Sequence, residues 1–262
     1  MPLCWEVWLE SSIVLHQFLT VTAVASTDII ERKPFMQTKA FNELFPLFST
    51  ANPETLNWLM SVAVEHEYPA DRAVLMEDAW GNAVYFIVSG WVKVRRLYGE
   101  KFVTLAILGP GDFFGEMAIL DESPRSTDVI ALCEVKLLSV SAQRFIQTLF
   151  KDPQLHHRML QLMVRRLRQA NVRFQRRHQP PAVKLVTTLV SLAESYGKPT
   201  PKGTQIFNLS YTDLADITNI GAEDTAKIME KLDSRGWIKI DQAHQMIYLV
   251  NIKQLTEVAQ KV

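Results

Sequence analysis

The spacing of apolar positions changes three times along this 262-residue chain, which divides it into segments of different structure. Residues 39–64 carry apolar positions at helical spacing, and Asn52-Pro53-Glu54 supplies a cap and a first-turn proline. From 66 to 141, short apolar runs alternate with polar positions and are separated by turn signals. This pattern predicts a short helical lead-in followed by a compact antiparallel barrel or jelly roll.

Residues 142 to about 178 return to helical spacing. Asp152-Pro153 predicts a helix start, and about 25 residues then follow without an internal Gly or Pro, which corresponds to roughly 37 Å of helix. A narrow apolar stripe flanked by arginines is typical of one half of a two-stranded coiled coil. We therefore expect a homodimer. Pro180-Pro181 ends the helix and predicts a hinge.

A third pattern follows the hinge. It predicts a helix ending at Gly197, two short helices separated by Asn219-Ile220, and two alternating strands over residues 237–251, an order typical of a winged helix-turn-helix. The predicted fold class is α+β. Its parts are an N-terminal extension of unknown role (1–35), a β-jelly-roll barrel domain (36–151), a long dimerisation helix (152–178) and a winged helix-turn-helix domain (179–262).

The net charge of zero conceals an asymmetry between the two halves. Residues 1–151 hold 12 basic and 18 acidic residues, whereas 152–262 hold 16 basic and 10 acidic ones. Eight basic residues lie within 152–184, against one acidic residue. An acidic half joined to a basic half suggests nucleic acid as a partner.

Composition also excludes several classes of protein. Two cysteines without His or Cys at ligand spacing argue against a disulfide framework and against a metal site. No apolar run reaches the roughly 18 residues of a membrane helix, and the N-terminal segment lacks the basic region of a signal peptide. We expect a cytoplasmic protein without a metal. We also expect no enzyme, because Ser139 and Ser141 have no nearby His and His156-His157 face different sides of a helix.

The stretch "FFGEMAILDESPRS" (113–126) contains a candidate anion pocket between two predicted strands. Gly115 lets the chain turn with backbone N–H groups facing inward, the arrangement of an anion-binding nest. Arg125 offers a fork that matches a phosphodiester, and Ser126 adds a hydroxyl donor. Glu116 suits a sugar hydroxyl better than a phosphate. The stretch therefore predicts a ligand with both a phosphate and a sugar.

The longer stretch "FGEMAILDESPRSTDVIA" resembles the phosphate-binding cassette of cyclic-nucleotide-binding domains, and residues 37–255 resemble the CRP/FNR family of bacterial transcription regulators. The resemblance implies an allosteric, cAMP-responsive regulator that binds DNA as a dimer, with RNA polymerase as a further partner. Two alternatives stay open: cGMP as the ligand, and a nucleotide-binding module whose winged helix contacts a protein or binds DNA without nucleotide.

The resemblance also assigns roles in the pocket. Glu116 takes the ribose 2′-hydroxyl, and Arg166 on the long helix pairs with Glu116. The family's Thr-Ser pair for adenine is replaced here by Ala170-Asn171, so that Asn171 can contact the base only through its amide, and base identity is left less determined. The cyclic phosphate is held by Gly115, Met117, Ala118, Arg125 and Ser126.

The stretch "LSYTDLADITNIGAEDTAKIMEKLDSRGWI" resembles the family's helix-turn-helix in its apolar frame. The family's Arg-Glu-Thr at the start of the recognition helix is replaced by Ala222-Glu223-Asp224. Glu223 suits cytosine N4 and Lys227 suits guanine, but Ala222 lacks the bidentate guanine contact and Asp224 faces phosphates with the wrong sign. We therefore expect an altered site preference. The expected DNA contacts are Ser210, Tyr211, Thr212, Ala222, Glu223 and Lys227.

Overall fold

The computed structural model describes residues 38–260, so that the predicted N-terminal extension lies outside the described residues. The lead-in consists of α1 (Thr38–Leu44), a 3-10 turn (Pro46–Phe48) and α2 (Pro53–Val62). Asn52 occupies the N-cap position of α2 as predicted, but its side chain makes no capping bond. Its backbone N–H instead donates to the Asp152 carboxylate, 2.8 Å away.

The barrel is antiparallel, as predicted, and consists of two four-stranded sheets with strand orders β1-β8-β3-β6 and β2-β7-β4-β5. A one-turn helix, α3 (Glu116–Leu120), lies between β6 and β7. The strands are β1 (Val64–Tyr68), β2 (Ala73–Leu75), β3 (Ala83–Ser89), β4 (Val92–Tyr98), β5 (Lys101–Leu108), β6 (Phe113–Phe114), β7 (Asp128–Ala131) and β8 (Val135–Ser141).

Both faces of the central strands are buried, because the sheet packs on helices on one side and closes the barrel on the other. On β3, Val84 and Phe86 belong to the cluster that includes the helices, whereas Ile87 belongs to the barrel interior. The alternation of side chains along a strand produces this division. Phe86 contacts the rings of Phe45 and Phe48 from the lead-in.

The helical segment begins directly after the barrel, with α4 (Ala142–Lys151) and α5 (Pro153–Gln175), and ends in a 3-10 turn (Arg176–His178). Asp152 caps α5 as predicted, accepting bonds from the backbone N–H groups of Gln154 and Leu155. The 23 residues of α5 make a rod of about 35 Å. Pro181 is the first residue of the next helix, so the proline pair does separate the two helices.

The C-terminal domain contains the predicted helix, the helix-turn-helix and the hairpin. It also contains β9, β10 and α9, which the sequence analysis missed. Pro199, Pro201 and Gly203 crowd this stretch, and β10 becomes a strand by pairing with distant β12. The elements are α6 (Pro181–Tyr196), β9 (Lys198–Thr200), β10 (Gly203–Phe207), α7 (Tyr211–Thr218), α8 (Ala222–Ser234), β11 (Ile238–Asp241), β12 (Met246–Leu249) and α9 (Ile252–Gln260).

One expectation about side chains is wrong. Ser139 does have a nearby His: the Nε2 atom of His66 lies 2.8 Å from the Ser139 hydroxyl oxygen. The two residues meet because β1 pairs with β8, a contact between positions 73 residues apart that sequence proximity does not reveal.

Candidate functional site

Two glycines leave space for the Arg125 side chain at the rim of the barrel. Gly115 follows β6 with a φ of +83°, and a Cβ atom at this position would lie 2.6 Å from Nη1 of Arg125. A Cβ atom at Gly81 would lie 2.9 Å from Cζ of the same guanidinium. Any larger residue would collide with the arginine, so both glycines are required by close approach, and Gly115 also by its left-handed backbone conformation.

The Arg125 guanidinium is a buried cation without an ionic partner. The residue is 4% exposed. Nη2 donates to the carbonyl oxygen of Ala83 at 2.8 Å, and Nη1 donates to that of Gly115. No carboxylate within residues 38–260 forms a salt bridge with it. Burial lowers the pKa of the guanidinium, which nevertheless stays charged at neutral pH. A bound anion would supply the missing charge.

Glu116, the third residue of the cassette, is paired with the long helix. Glu116 is also only 4% exposed, and its Oε1 atom accepts a hydrogen bond from Nη1 of Arg166 at 2.6 Å. Nη2 of Arg166 donates to the carbonyl oxygen of Phe113 at 2.6 Å, and the guanidinium lies 4.3 Å from the centre of the Phe113 ring. The pairing of Arg166 with Glu116 thus ties α5 to the β6–α3 segment.

A cleft of about 940 Å³ connects these groups. It lies between the barrel rim, α5 and the first helix of the C-terminal domain. Asn171 is exposed and does not line it; the neighbouring positions Gln169, Ala170 and Arg173 do. The structure therefore brings together all but one of the predicted ligand residues, namely Gly115, Glu116, Met117, Ala118, Arg125, Ser126 and Arg166.

Asn171 lies instead in an exposed stripe along α5. The other members are apolar, and all are at least half exposed: Leu160, Val164, Leu167 and Phe174. Successive members of the stripe are four, three, four and three residues apart, which is the a/d spacing of a heptad repeat. The stripe is the kind of seam that a partner helix covers.

The predicted DNA contacts lie on α7 and α8. Ser210 is the N-cap of α7, and its hydroxyl donates to Oδ2 of Asp213 at 2.6 Å. Tyr211 is half-buried and Thr212 is exposed. On α8, Ala222 is exposed, and the exposed Glu223 and Lys227 side chains are 3.7 Å apart.

The sequence analysis missed several contacts between the barrel and the C-terminal domain, of which the Asp112–Tyr196 pair lines the cleft. Asp112 accepts a hydrogen bond from the Tyr196 hydroxyl, and Lys93 forms a salt bridge with Asp213. Trp91 packs between rings of the C-terminal domain. No local pattern marks these pairs, because each joins the barrel to a residue about 85 to 120 positions away. Within residues 38–260, no helix is long and apolar enough to cross a membrane, and no cluster of His, Cys, Asp and Glu is placed to hold a metal.

Comparison with known proteins gives a consistent result. A family model for the cyclic nucleotide-binding domain matches residues 65–152. The cyclic AMP receptor protein of Thermus thermophilus is 27% identical over 201 residues, which cover 74% of this chain and 88% of that protein.

Two solved structures share the fold. FixK2 from Bradyrhizobium japonicum covers 77% of this chain and 99% of its own, with 20% identity and a TM-score of 0.67. The c-di-GMP responsive global regulator CLP from Xanthomonas campestris covers 76% and 99%, with 20% identity and a TM-score of 0.60. The chain therefore contains a cyclic nucleotide-binding domain, and with its barrel, long helix and C-terminal helix-turn-helix it is similar to transcription regulators of the CRP/FNR family.

Proposed function

We propose that this protein is a cAMP-responsive transcription regulator that binds DNA as a homodimer in the cytoplasm. The observation that carries the proposal is the buried Arg125 guanidinium, which has no ionic partner and lies in the same cleft as the buried Glu116 carboxylate. A cyclic phosphate supplies an anion for the first, and a ribose hydroxyl donates to the second. The name of the Thermus relative, a cyclic AMP receptor protein, supports cAMP among the cyclic nucleotides.

The phosphate end of the ligand is the better supported one. Arg125 has donors to spare after its two bonds to backbone carbonyls, since a guanidinium carries five N–H groups. Ser126 and the first residues of α3, whose N–H groups have no intrahelical acceptor, line the same cleft as Arg125. These donors are neutral or cationic, as a phosphodiester requires.

The base end is less specific. Ala170 offers no hydrogen bond, and Gln169 is the polar side chain beside it in the cleft lining. The cleft also continues past one nucleotide toward Arg173, Arg176 and Lys184. These extra cationic side chains suit a ligand with more than one phosphate. The related regulator CLP is described as responsive to c-di-GMP, so this larger nucleotide is included in the binding test.

Dimerisation is supported by the exposed stripe on α5. Four large apolar side chains at heptad spacing would remain in water in a monomer, and burying them stabilises a two-stranded coiled coil by roughly 25 cal/mol per Å² of apolar surface. Asn171 interrupts the stripe once. A single polar residue at such a position favours one register and two strands at some cost in stability.

DNA binding is supported by the helix-turn-helix and by the exposure of Thr212, Ala222, Glu223 and Lys227. RNA polymerase is a further partner that this function implies. One observation favours the rival function, a nucleotide-responsive domain that contacts a protein. The first turn of α8 carries Glu223 and Asp224 without a basic residue, and two carboxylates repel phosphates.

Calorimetry tests the ligand. The full chain is titrated with cAMP, cGMP and c-di-GMP, and we expect the tightest binding to cAMP. Arg125→Met should abolish that binding, whereas the matched variant of an exposed arginine on β4, Arg96→Met, should not. Absence of heat with all three ligands would refute nucleotide sensing by this protein.

Selection from random-sequence DNA tests whether the helix-turn-helix domains bind a specific sequence. We expect enrichment of a two-fold symmetric site only when cAMP is present, with a base preference that changes in Glu223→Ala. If binding is indifferent to sequence and simply weakens with salt, the specific-regulator function is wrong and the protein-contact function is favoured.

A further inference from the structure

The barrel and the C-terminal domain are joined by a specific apolar contact centred on Trp91, the residue before β4. Its ring stacks on Phe207 at 5.3 Å and meets Tyr196 edge-on at 4.8 Å. A Cβ atom at Gly109 would come within 2.6 Å of the Trp91 ring, so this glycine leaves space for the indole. Ile107 of β5 packs into the hydrophobic core of the C-terminal domain. The two domains therefore share one packed surface.

A salt bridge joins the same two domains at the helix-turn-helix. Nζ of Lys93 on β4 lies 2.6 Å from Oδ1 of Asp213 on α7, and the two side chains are only 19% and 12% exposed. Asp213 also accepts the hydrogen bond from Ser210 at the N-cap of α7. The start of the first helix of the helix-turn-helix is thus held against the barrel, and α7 covers the edge strand β5.

A third contact leads from the C-terminal domain toward the ligand cleft. The Tyr196 hydroxyl at the end of α6 donates to Oδ2 of Asp112, which also accepts from the N–H of Gly109 at 3.1 Å. Burial raises the pKa of both Asp112 and Tyr196. The positive charge of Arg166 acts on Asp112 as well, in the sense that favours the carboxylate.

Asp112 and Glu116 are the two ends of one short segment, with β6 between them. Arg166 holds this segment through both the Phe113 carbonyl and the Glu116 carboxylate. Arg166 Nη1 donates to Oε1 of Glu116, and a ligand hydroxyl that donates to the same oxygen would weaken that pairing. Once its bond to Glu116 is weakened, Arg166 is attracted to the second nearby carboxylate, Asp112. Pairing with Arg166 would draw the Asp112 carboxylate away from the Tyr196 hydroxyl.

We propose that the Asp112–Tyr196 and Lys93–Asp213 contacts form a latch that holds the C-terminal domain on the barrel in a form with low DNA affinity, and that a ligand at Glu116 opens it through Arg166. This latch rests on the proposed function for its ligand and its output. Tyr196 acts through Asp112 and touches no reacting group, so it is a positioning residue. By linkage, a contact that opposes DNA binding also opposes nucleotide binding.

Tyr196→Phe tests the latch because it removes one hydroxyl and keeps the ring against Trp91. The first readout needs neither nucleotide nor DNA: hydrogen exchange of the full chain at the outer edge of β5 and at α7, which docking protects. We expect exchange there to be about fivefold to fiftyfold faster, with unchanged exchange in β3 and β8. Lys93→Met should act in the same direction.

The second readout is DNA binding. In both latch variants we expect affinity without nucleotide to rise about fivefold to fiftyfold, and the further gain on adding cAMP to shrink by a similar factor. The matched controls are Tyr98→Phe, on an exposed tyrosine, and Lys136→Met, which breaks the exposed ion pair with Glu67; both should behave as wild type.

Each outcome decides between the proposals. If Tyr196→Phe exchanges like Tyr98→Phe at β5 and keeps the full nucleotide response, the latch is refuted. If exchange accelerates in the latch variants but the wild type binds no nucleotide, the latch stands and the proposed ligand function fails. If exchange accelerates but DNA affinity falls, docking supports the binding-competent form and the proposed direction is wrong.

Discussion

Arg125→Met should abolish nucleotide binding without destabilising the ligand-free protein. In most proteins, truncating a fully buried side chain lowers the free energy of unfolding, because contacts and hydrogen bonds are lost. Arg125 differs because its charge is buried without a carboxylate partner within residues 38–260. Its removal therefore relieves an energetic penalty as well as breaking bonds.

The magnitude follows from the contacts. Methionine leaves the carbonyl oxygens of Ala83 and Gly115 without these donors, at about 1–3 kcal/mol for each acceptor left unpaired. Against this, a buried ion without a salt-bridge partner carries a penalty of several kcal/mol even after relaxation, which the Coulombic attraction of Glu116 reduces in part. Methionine keeps the unbranched stem, so little packing is lost. We expect the free energy of unfolding of the ligand-free protein to stay within about 1 kcal/mol of wild type or to rise.

The ligand-bound state reacts in the opposite sense. Truncating one partner of a buried, charged hydrogen-bonded pair costs about 2–5 kcal/mol, which corresponds to a loss of about 30-fold to several-thousand-fold in Kd. Urea unfolding of the free protein and calorimetry with cAMP measure the two effects on the same preparation. Arg96→Met is the control for a surface arginine.

Two results would refute the reasoning about Arg125. Binding of cAMP by Arg125→Met within about threefold of wild type would show that the guanidinium is not the phosphate ligand. A loss of more than about 3 kcal/mol in unfolding free energy would show that Arg125 is a structural residue whose charge is compensated elsewhere.

Other perturbations have distinct expected outcomes. Gly115→Ala forces a side chain into a left-handed conformation and toward the Arg125 guanidinium, and should lower the unfolding free energy by about 1–3 kcal/mol and weaken cAMP binding in the same titrations. Asp152→Ala removes an acceptor of three backbone N–H groups and should cost about 2–4 kcal/mol in urea unfolding. Burial alone would raise the pKa of Asp152, but these backbone bonds lower it overall, so that its stabilising contribution is present above the unfolded-state pKa and should disappear as the pH falls through the folded-state pKa. Leu167→Glu should convert the dimer to a monomer in sedimentation experiments. Asp224→Ser should raise DNA affinity about threefold to tenfold at low salt in gel shifts, because one carboxylate facing phosphates is removed.

The expectations for Asp152, Leu167 and Asp224 can each be contradicted. If the unfolding free energies of wild type and Asp152→Ala fall equally as the pH is lowered, the Asp152 carboxylate does not contribute to the pH dependence of stability. A Leu167→Glu protein that sediments as the wild type would place any dimer contact away from the α5 stripe. Unchanged or weaker DNA binding by Asp224→Ser would show that this side chain does not face phosphates.

Local rules predicted most of the secondary structure. Asp152-Pro153 starts α5 because the carboxylate accepts the first free N–H groups and proline tolerates the first helical position. The chain turns at Gly115 because glycine, which has no Cβ atom, adopts a φ of +83° without strain. The strands that were missed, β9 and β10, lack such local signals, and β10 is stabilised by its long-range partner β12. The missed helix α9 does carry a local signal, because the Asn251 side chain accepts from the N–H of Gln254, and it packs on distant α6.

The candidate site shows the same division. The residues between Gly115 and Ser126 were found from the sequence because one loop carries the whole set, and Arg166 was found because a resemblance named its partner. Asn171 was expected in the pocket, but it lies on the exposed stripe, while both of its neighbours in sequence, Ala170 and Val172, line the cleft.

The sequence by itself determined the order of barrel, long helix and helix-turn-helix, and the chemistry of one loop, because those properties depend on spacing of a few residues. Only the tertiary structure decided that Arg125 is buried without an ionic partner, and that Asp112, Arg166 and Tyr196 lie along one route from the cleft to the C-terminal domain. Burial and pairing of charges depend on which distant segments pack together, and that packing is a property of the whole fold.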